Sequence, residues 1–324
     1  MLLPPIQFFH DRSRRGAACS PALQRWLAAL RLQASEALGA IEIVETDAGD
    51  DALRTGLAAP PARHLDEARF CLDLMSAAAM GGNRFALLVT ELESQVRAMQ
   101  DRLGPAGLAV AQHALGSARQ IVALDEESVA FCLDFTGRDI ARLELPATAS
   151  PLAAPWDSRI AVLLIHDREA LPDPDALTVE LAALRFEPLC VDLDDAAIAL
   201  TEDMSGRIEA SPLHIHVGRP ARTMPGFRLA DSLARRACVI HFLAGPAPPA
   251  DSAPRDIEIR DQANGFVASD ARQVARALRA LEGDAFLRVL FQRNAGQILL
   301  AFNGEREEGL LNWLKNSAQS LSTF

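Results

Sequence analysis

The 324-residue chain contains no tyrosine, and Lys315 is the single lysine among its 32 basic residues. The first absence excludes any mechanism built on a tyrosyl acid or phosphoryl acceptor. The second gives no support to a lysine Schiff base or a P-loop, and GxxxxGKS/T does not occur. GxSxG, HExxH and GxGxxG are also missing, which removes the hydrolase elbow, the zincin helix and the dinucleotide fingerprint. Aromatic residues make up only 5% of the chain, so any aromatic stacking platform for a ligand must come from Trp26, Trp156, Trp313 or phenylalanine. No CxxC pair is present among the five cysteines at 19, 71, 132, 190 and 238, and Cys132, Cys190 and Cys238 lie in apolar stretches that read as core. That usage fits free thiols in a reducing compartment rather than a disulfide framework or structural metal site. No apolar run reaches 18 residues, and the opening MLLPPIQFFHDRSRR puts its apolar stretch before its positive charges, the reverse of a signal peptide. A cytoplasmic protein is expected, with peripheral attachment at the inner membrane left open.

What is present is a long, ordinary globular composition. Half the residues are apolar (49%), and the 43 acidic residues outnumber the basic ones to give a net charge of -11. Nonspecific nucleic-acid binding needs a concentrated basic face, so no nucleic-acid partner is expected. The length allows two domains.

Strand and helix signals alternate. Residues 5–10 read as a short buried strand, followed by an Arg/Gly loop and a helix over 22–32 started by Ser20 and Pro21. Residues 41–45, 84–89 and 120–123 supply further strands, with helical patterns over 65–79 and 92–102. Around residue 148 the sequence ATASPLAAPW has neither period and reads as a linker. Beyond it, residues 159–167 form a nearly continuous apolar run, the mark of a strand covered on both faces. A helix carrying Leu177, Leu181 and Leu184 on one face follows. Residues 187–192, 213–217 and 237–242 give more strands, residues 256–260 a further short one, and Ser269 caps a helix over 270–281. Residues 285–300 and 304–317 read as two closing helices.

The expected architecture is therefore α/β, two Rossmann-like domains facing a cleft, with C-terminal helices. The expected boundaries are 1–150 and 151–290 for the two domains and 291–324 for a helical segment packing on both.

The segment HIHVGRPARTMPGFRLADSLARRACVIHF, residues 214–242, concentrates the chemistry. His214 and His216 fall on the same side of a strand and read either as satisfied core histidines or, with a third ligand, as a metal pair. Arg219 and Arg222 lie on a loop leading to a helix start, where cations and free N–H groups suit a diphosphate. Arg228 sits one helical turn before Asp231 and Ser232.

Residues 158–282 resemble the C-terminal donor-binding domain of GT-B glycosyltransferases of the family 4 type. Asp231-Ser232-Leu233-Ala234 before Cys238-Val239-Ile240, and Asn264-Gly265-Phe266 before the helix at 270, follow the family's order. QIVALDEESVAFC resembles the segment that precedes the family's interdomain linker. The chain departs from the family pattern in having Thr223 where the first acid of the paired motif stands, Asp231 in place of the second Glu, and His166-Asp167-Arg168 where the usual Lys is expected.

The resemblance implies a glycosyltransferase, retaining and independent of metal or other cofactor, that moves a sugar from a nucleoside-diphosphate donor to a glycan, lipid or protein acceptor. It assigns His10, Arg219 and Asp231 to catalysis, and Gly16, Arg222, Arg228, Ser232, Asn264 and Gly265 to donor binding. The departures keep a second reading beside it, a catalytically degenerate GT-B-like protein that binds a glycan or a partner protein.

Overall fold

In the computed structural model, placement is described for residues 5–11, 41–46, 67–80, 84–147, 153–170, 174–193, 202–218, 227–243 and 257–322. The chain divides into two compact units, one formed by Met1–Leu145 with Arg306–Phe324 and the other by Pro146–Glu305.

The first unit holds β1 (Ile6–Asp11), β2 (Ile41–Thr46), β3 (Ala68–Cys71), α1 (Leu74–Ala79), β4 (Ala86–Val89), α2 (Leu92–Leu103), α3 (Pro105–Ser117), β5 (Gln120–Ala123), α4 (Glu126–Thr136) and β6 (Ala141–Arg142). Its strands are parallel, in the order β2-β1-β3-β4-β5-β6. Alternate residues of each strand serve opposite faces. Phe9, Leu87 and Val89 pack with α1 to α4, whereas Phe8, Phe70 and Leu88 pack against Leu310, Leu314 and Ala318 near the C-terminus.

The second unit contains β7 (Ile160–Ile165), α5 (Pro174–Ala183), β8 (Glu187–Asp192), α6 (Glu202–Glu209), β9 (Leu213–Val217), α7 (Leu229–Ala234), β10 (Cys238–Phe242), β11 (Phe266–Ala268) and α8 (Ala271–Gly283). Its parallel sheet has the order β11-β10-β9-β7-β8. The continuous apolar run of β7 is covered on both faces as its sequence requires. Ala161 and Leu163 join the cluster of α5 and α8, and Val162 and Leu164 join that of Ile208 and Phe227.

Several local expectations are corrected. Residues 68–71 are a strand, not part of a helix over 65–79. Asp73 caps α1 by accepting the Ser76 N–H at 2.7 Å, so the helix starts only there. No strand forms over 257–260, because the Asn264 side chain takes the Arg260 N–H and donates to the Glu258 carbonyl, occupying backbone groups that a ladder would use. The N-cap of α8 is Asp270. The two closing helices are one helix, α9 (Ala285–Ser322). A methyl group added at Gly304 would meet no atom within 4 Å, and the backbone there is not left-handed, so nothing at that position ends the helix. Phe291, Ala295 and Leu299 of α9 pack in the second unit's clusters, and Leu310, Leu314, Ala318 and Leu321 in the first unit's. Cys71, Cys132 and Cys238 are buried, but Cys190 is exposed, since β8 is an edge strand with one solvated face.

Candidate functional site

In both sheets the first strand is followed in sequence by its neighbour on one side and next by its neighbour on the other. The switch points therefore lie between β1 and β3, and between β7 and β9. Connections leave such a pair toward opposite faces, and the carboxyl ends of the two strands border the crevice where open α/β sheets bind ligands.

In the first unit this edge is pegged by side chains. Asp73 accepts the Asp11 N–H at 2.8 Å in addition to capping α1. Gln95 accepts the Leu74 N–H at 2.7 Å and donates to the Thr90 carbonyl at 2.8 Å. Asp125 caps α4 and accepts the Glu91 N–H at 3.0 Å. Asp73 thus ties the end of β1 to the start of α1, Gln95 of α2 joins the start of α1 to the end of β4, and Asp125 joins the loop after β5 to the start of α2. Burial, partly offset by hydrogen bonds from Ser76 and Asp11, raises the Asp73 carboxyl above its ordinary value. His10 occupies the penultimate position of β1 at this switch point and is half-buried, next to Asp11, whose buried carboxylate lies 3.7 Å from Arg102. Gly16 lies outside the described residues.

In the second unit, strand alternation places His214 and His216 on the same face of β9, where both meet Ser232 of α7. His214 Nδ1 is 2.7 Å and His216 Nε2 is 2.8 Å from the Ser232 hydroxyl. His216 Nδ1 is 2.9 Å from Nε2 of His166, the residue that follows β7, and the two ring planes are 11° apart. The inner end of the chain is the Ile208 carbonyl, 3.2 Å from His214 Nε2. Nearby, His241 of β10 lies 3.1 Å from the Gly218 carbonyl through its Nε2.

The rings are held neutral. Burial, then the neighbouring His241, brings His166 down to about 3. Burial, then Arg235, brings His214 to about 3 against the opposing bond to Ile208. His216 is lowered well below its ordinary value by burial and by His166, His241, His214 and Arg235.

Neutrality and the carbonyl anchor fix every proton in the chain. A carbonyl only accepts, so His214 Nε2 carries the hydrogen and its Nδ1 accepts from the Ser232 hydroxyl. The serine oxygen then accepts from His216 Nε2, and His216 Nδ1 accepts from His166 Nε2. His166 Nδ1 is left as a lone-pair acceptor at the outer end.

Arg228, Asp231 and Ser232 are brought together in α7, all buried. The Asp231 carboxylate accepts from the Arg228 Nε and backbone N–H through Oδ2, at 2.8 and 3.1 Å, and from Arg228 Nη2 through Oδ1 at 2.9 Å. This is a capping box with an arginine at the N-cap, which closes the start of a six-residue helix. Arg235 donates to the Asp231 carbonyl at 3.0 Å, and the Phe302 ring lies 5.5 Å from the Arg228 guanidinium. Burial alone would raise the Asp231 carboxyl; the charge and hydrogen bonds of Arg228, with the charge of Arg235, bring it below its ordinary value instead.

Asn264 holds the turn before β11 through the two bonds described above, and Gly265 is forced there by space. A methyl group on it would stand 2.6 Å from the Val239 carbonyl oxygen and 2.8 Å from Ile259. Arg219, Arg222 and Thr223 lie outside the described residues. Sequence reasoning named His166, His214, His216 and Ser232 separately but missed that they form one chain. Its only signal was the His-x-His alternation beside a strand-end histidine. Among the described residues, no group of three or more His, Cys, Asp or Glu is placed to hold a metal ion, and no helix is long and apolar enough to cross a membrane.

No protein-family model matches the sequence, and no curated protein matches it. Among solved structures, the sucrose-phosphate synthase from Thermosynechococcus elongatus matches with a TM-score of 0.51 at 13% identity, covering 99% of this chain and 100% of that one. A mutant S. aureus TarM in complex with Fondaparinux, alpha-GlcNAc-glycerol and UDP matches with a TM-score of 0.41 at 11% identity, over 80% of this chain and 56% of that one. A mutant Thermobaculum terrenum O-GlcNAc transferase gives 0.41 and 11%, over 98% and 69%. The likeness to the synthase is one of fold, two Rossmann-like domains as in the GT-B architecture.

Proposed function

We propose that this protein is a glycosyltransferase that takes a sugar from a nucleoside-diphosphate donor and passes it to a glycan, lipid or protein hydroxyl. The observation that carries the reading is the second unit's switch point. There β7 and β9 end beside a rigid polar cluster within a fold shared with a sucrose-phosphate synthase. Its donor domain is of the family 4 type by the order of motifs in the sequence. In the reaction, the bond between the anomeric carbon and the diphosphate oxygen breaks, the acceptor oxygen bonds to that carbon, and the acceptor proton leaves with the diphosphate.

Arg219 and Arg222, which directly follow β9 in sequence, neutralise the departing diphosphate, so that this charge needs no metal ion. Retention at the anomeric carbon is carried over from the family resemblance, as are the roles of His10 in catalysis and Gly16 in donor binding, both from an acceptor-side domain over 1–150 that faces a nucleotide-sugar-binding domain over 151–290. Arg228 and Asp231 act on the donor through the helix that they cap, and Ser232, Asn264 and Gly265 shape its site. The reaction belongs to polysaccharide or glycoconjugate assembly in the cytoplasm, at the inner membrane when the acceptor is a lipid.

A second reading, a catalytically degenerate protein that binds glycan or protein, is favoured by one observation: both oxygens of Asp231 are engaged by Arg228. Calorimetric titration with UDP, GDP, ADP and CMP tests donor binding, and absence of all four interactions rejects the transferase reading. Release of nucleoside diphosphate from UDP-, GDP- and ADP-sugars, lost in Arg219→Ala, separates transferase from degenerate binder. NMR of the product anomer tests retention.

A further inference from the structure

The chain His166–His216–Ser232–His214 has an outer end with a fixed chemical character, and three observations define it. It is directional, because it terminates inward on the Ile208 carbonyl, which cannot accept a second arrangement in which His214 Nε2 gives up its hydrogen without leaving that carbonyl unpaired. It is not a proton conductor, since its inner terminus is a carbonyl oxygen, which accepts a hydrogen bond but does not take up a proton and pass it on. It stands at the switch point: the His166 N–H bonds to the Val217 carbonyl of β9, and Leu164 pairs with His216 across the strands.

The Asp167 and Arg168 side chains beside His166 have local partners. Asp167 Oδ1 accepts the Glu169 N–H at 2.9 Å, Arg168 pairs with Asp192 at the end of β8, and a methyl group on Gly218 would stand 2.6 Å from the Asp167 Cβ. Gly218 itself has φ 78, where glycine is favoured, so the loops after β7 and β9 approach closely beside the ring. His166 keeps 6% of its surface exposed, and its Nδ1 has no hydrogen-bond partner among the described residues.

We infer that His166 Nδ1 is a ligand-recognition atom, a permanent hydrogen-bond acceptor that takes a hydroxyl of a sugar or ribose and turns away phosphate and carboxylate oxygens. A lone pair facing an anion is repelled, and converting the ring to a donor costs either the whole chain of hydrogen bonds or a buried charge. His166 thus sorts the ligand's polar groups, accepting hydroxyls at the switch point and leaving the diphosphate to the arginines beyond β9. His216, Ser232 and His214 are positioning residues that act by holding the His166 tautomer. The inference rests on the nucleotide-sugar reading only for the identity of the molecule that bears the hydroxyl.

The experiment uses the full chain with 15N-labelled histidine. Long-range 1H–15N spectra of the wild type should show His166 protonated at Nε2 and bare at Nδ1, and a ligand hydroxyl should shift the Nδ1 resonance. Titrations with UDP, 2′-deoxy-UDP and UDP-glucose, and their GDP and ADP counterparts, distinguish a ribose hydroxyl from a sugar hydroxyl. The Nδ1 shift is lost with the deoxynucleotide in the first case and appears only with the sugar in the second.

His166→Phe should weaken the hydroxyl-bearing ligand on the order of tenfold, as expected for one neutral hydrogen bond. Ser232→Ala should free the tautomer and raise binding of inorganic phosphate relative to wild type, a change that mere loss of packing does not produce. If no nucleotide binds but glucose or glycerol alone shifts Nδ1, the transferase reading fails and the recognition atom stands. A wild-type His166 protonated at Nδ1, or an Nδ1 resonance unmoved by every one of these ligands, overturns the inference.

Discussion

Replacing Asp231 by Ala removes a carboxylate from a guanidinium that retains only 5% of its side-chain exposure. Breaking a buried ion pair costs about 3–5 kcal/mol, because the penalty of burying the guanidinium remains and the attraction of this carboxylate is gone. For a unit of this size each kcal/mol moves the melting temperature by about 2–4 °C, so the second unit should melt roughly 6–20 °C lower. Differential scanning calorimetry of the full chain measures it. The transition of the second unit is identified by its response to Leu163→Ala, a core truncation at a fully buried position worth about 2–5 kcal/mol.

The pH dependence has a definite sign. The folded Asp231 carboxyl lies below its ordinary value of 3.8, so the folded state binds fewer protons than the unfolded one around that pH. Its contribution is present above the unfolded value and is lost as pH falls through the folded value, and the gap between wild type and Asp231→Ala narrows there. Converting both partners, Arg228→Met with Asp231→Leu, should destabilise less than Asp231→Ala alone, although Arg235 still loses the nearby negative charge. An Asp231→Ala protein that melts within a degree of wild type, or a double variant worse than the single one, refutes the account of Arg228 and Asp231 as a desolvated pair.

The histidine cluster makes the second unit acid-sensitive. With an ordinary value of 6.5 and a folded value of about 3, His166 and His214 each bind more protons when unfolded between those limits, so stability falls as pH is lowered. From pH 7 to pH 5 the loss is about 2 kcal/mol per histidine, and His214→Phe should flatten the slope of urea-derived stability against pH; an unchanged slope contradicts the buried neutral state. Gly265→Ala should destabilise the unit by about 1–3 kcal/mol through the clash with Val239, read as a lower urea midpoint. Gly304→Ala should raise helix stability by about 1 kcal/mol, because the position lies inside α9 with open space around it; a loss of stability would indicate a break in the helix there.

The two Rossmann-like sheets were legible before the structure because their signal is local. β7 is a run of apolar residues, and a strand covered on both faces needs every one of them. β3 was not legible, because four residues next to a capped helix carry too little period to separate strand from helix. The expected burial of Cys190 failed for a different reason. Its neighbours are apolar, but whether a strand has one wet face depends on its place at the sheet edge, which no local pattern contains.

The candidate site divides the same way. The sequence by itself determined that His214 and His216 share a face, since side chains alternate along any strand, and that residues 228–232 lie on one helical turn. It also determined which chemistries lacked their residues, tyrosyl and P-loop mechanisms among them. Only the tertiary structure decided that β7 lies beside β9, which brings His166 to a histidine 50 residues away and fixes the proton order of the whole chain. It likewise decided that Asp231 spends its carboxylate on Arg228 inside the unit. Periodicity specifies which way a side chain points, whereas strand order and burial specify what it meets, and hydrogen-bond partners follow from the second.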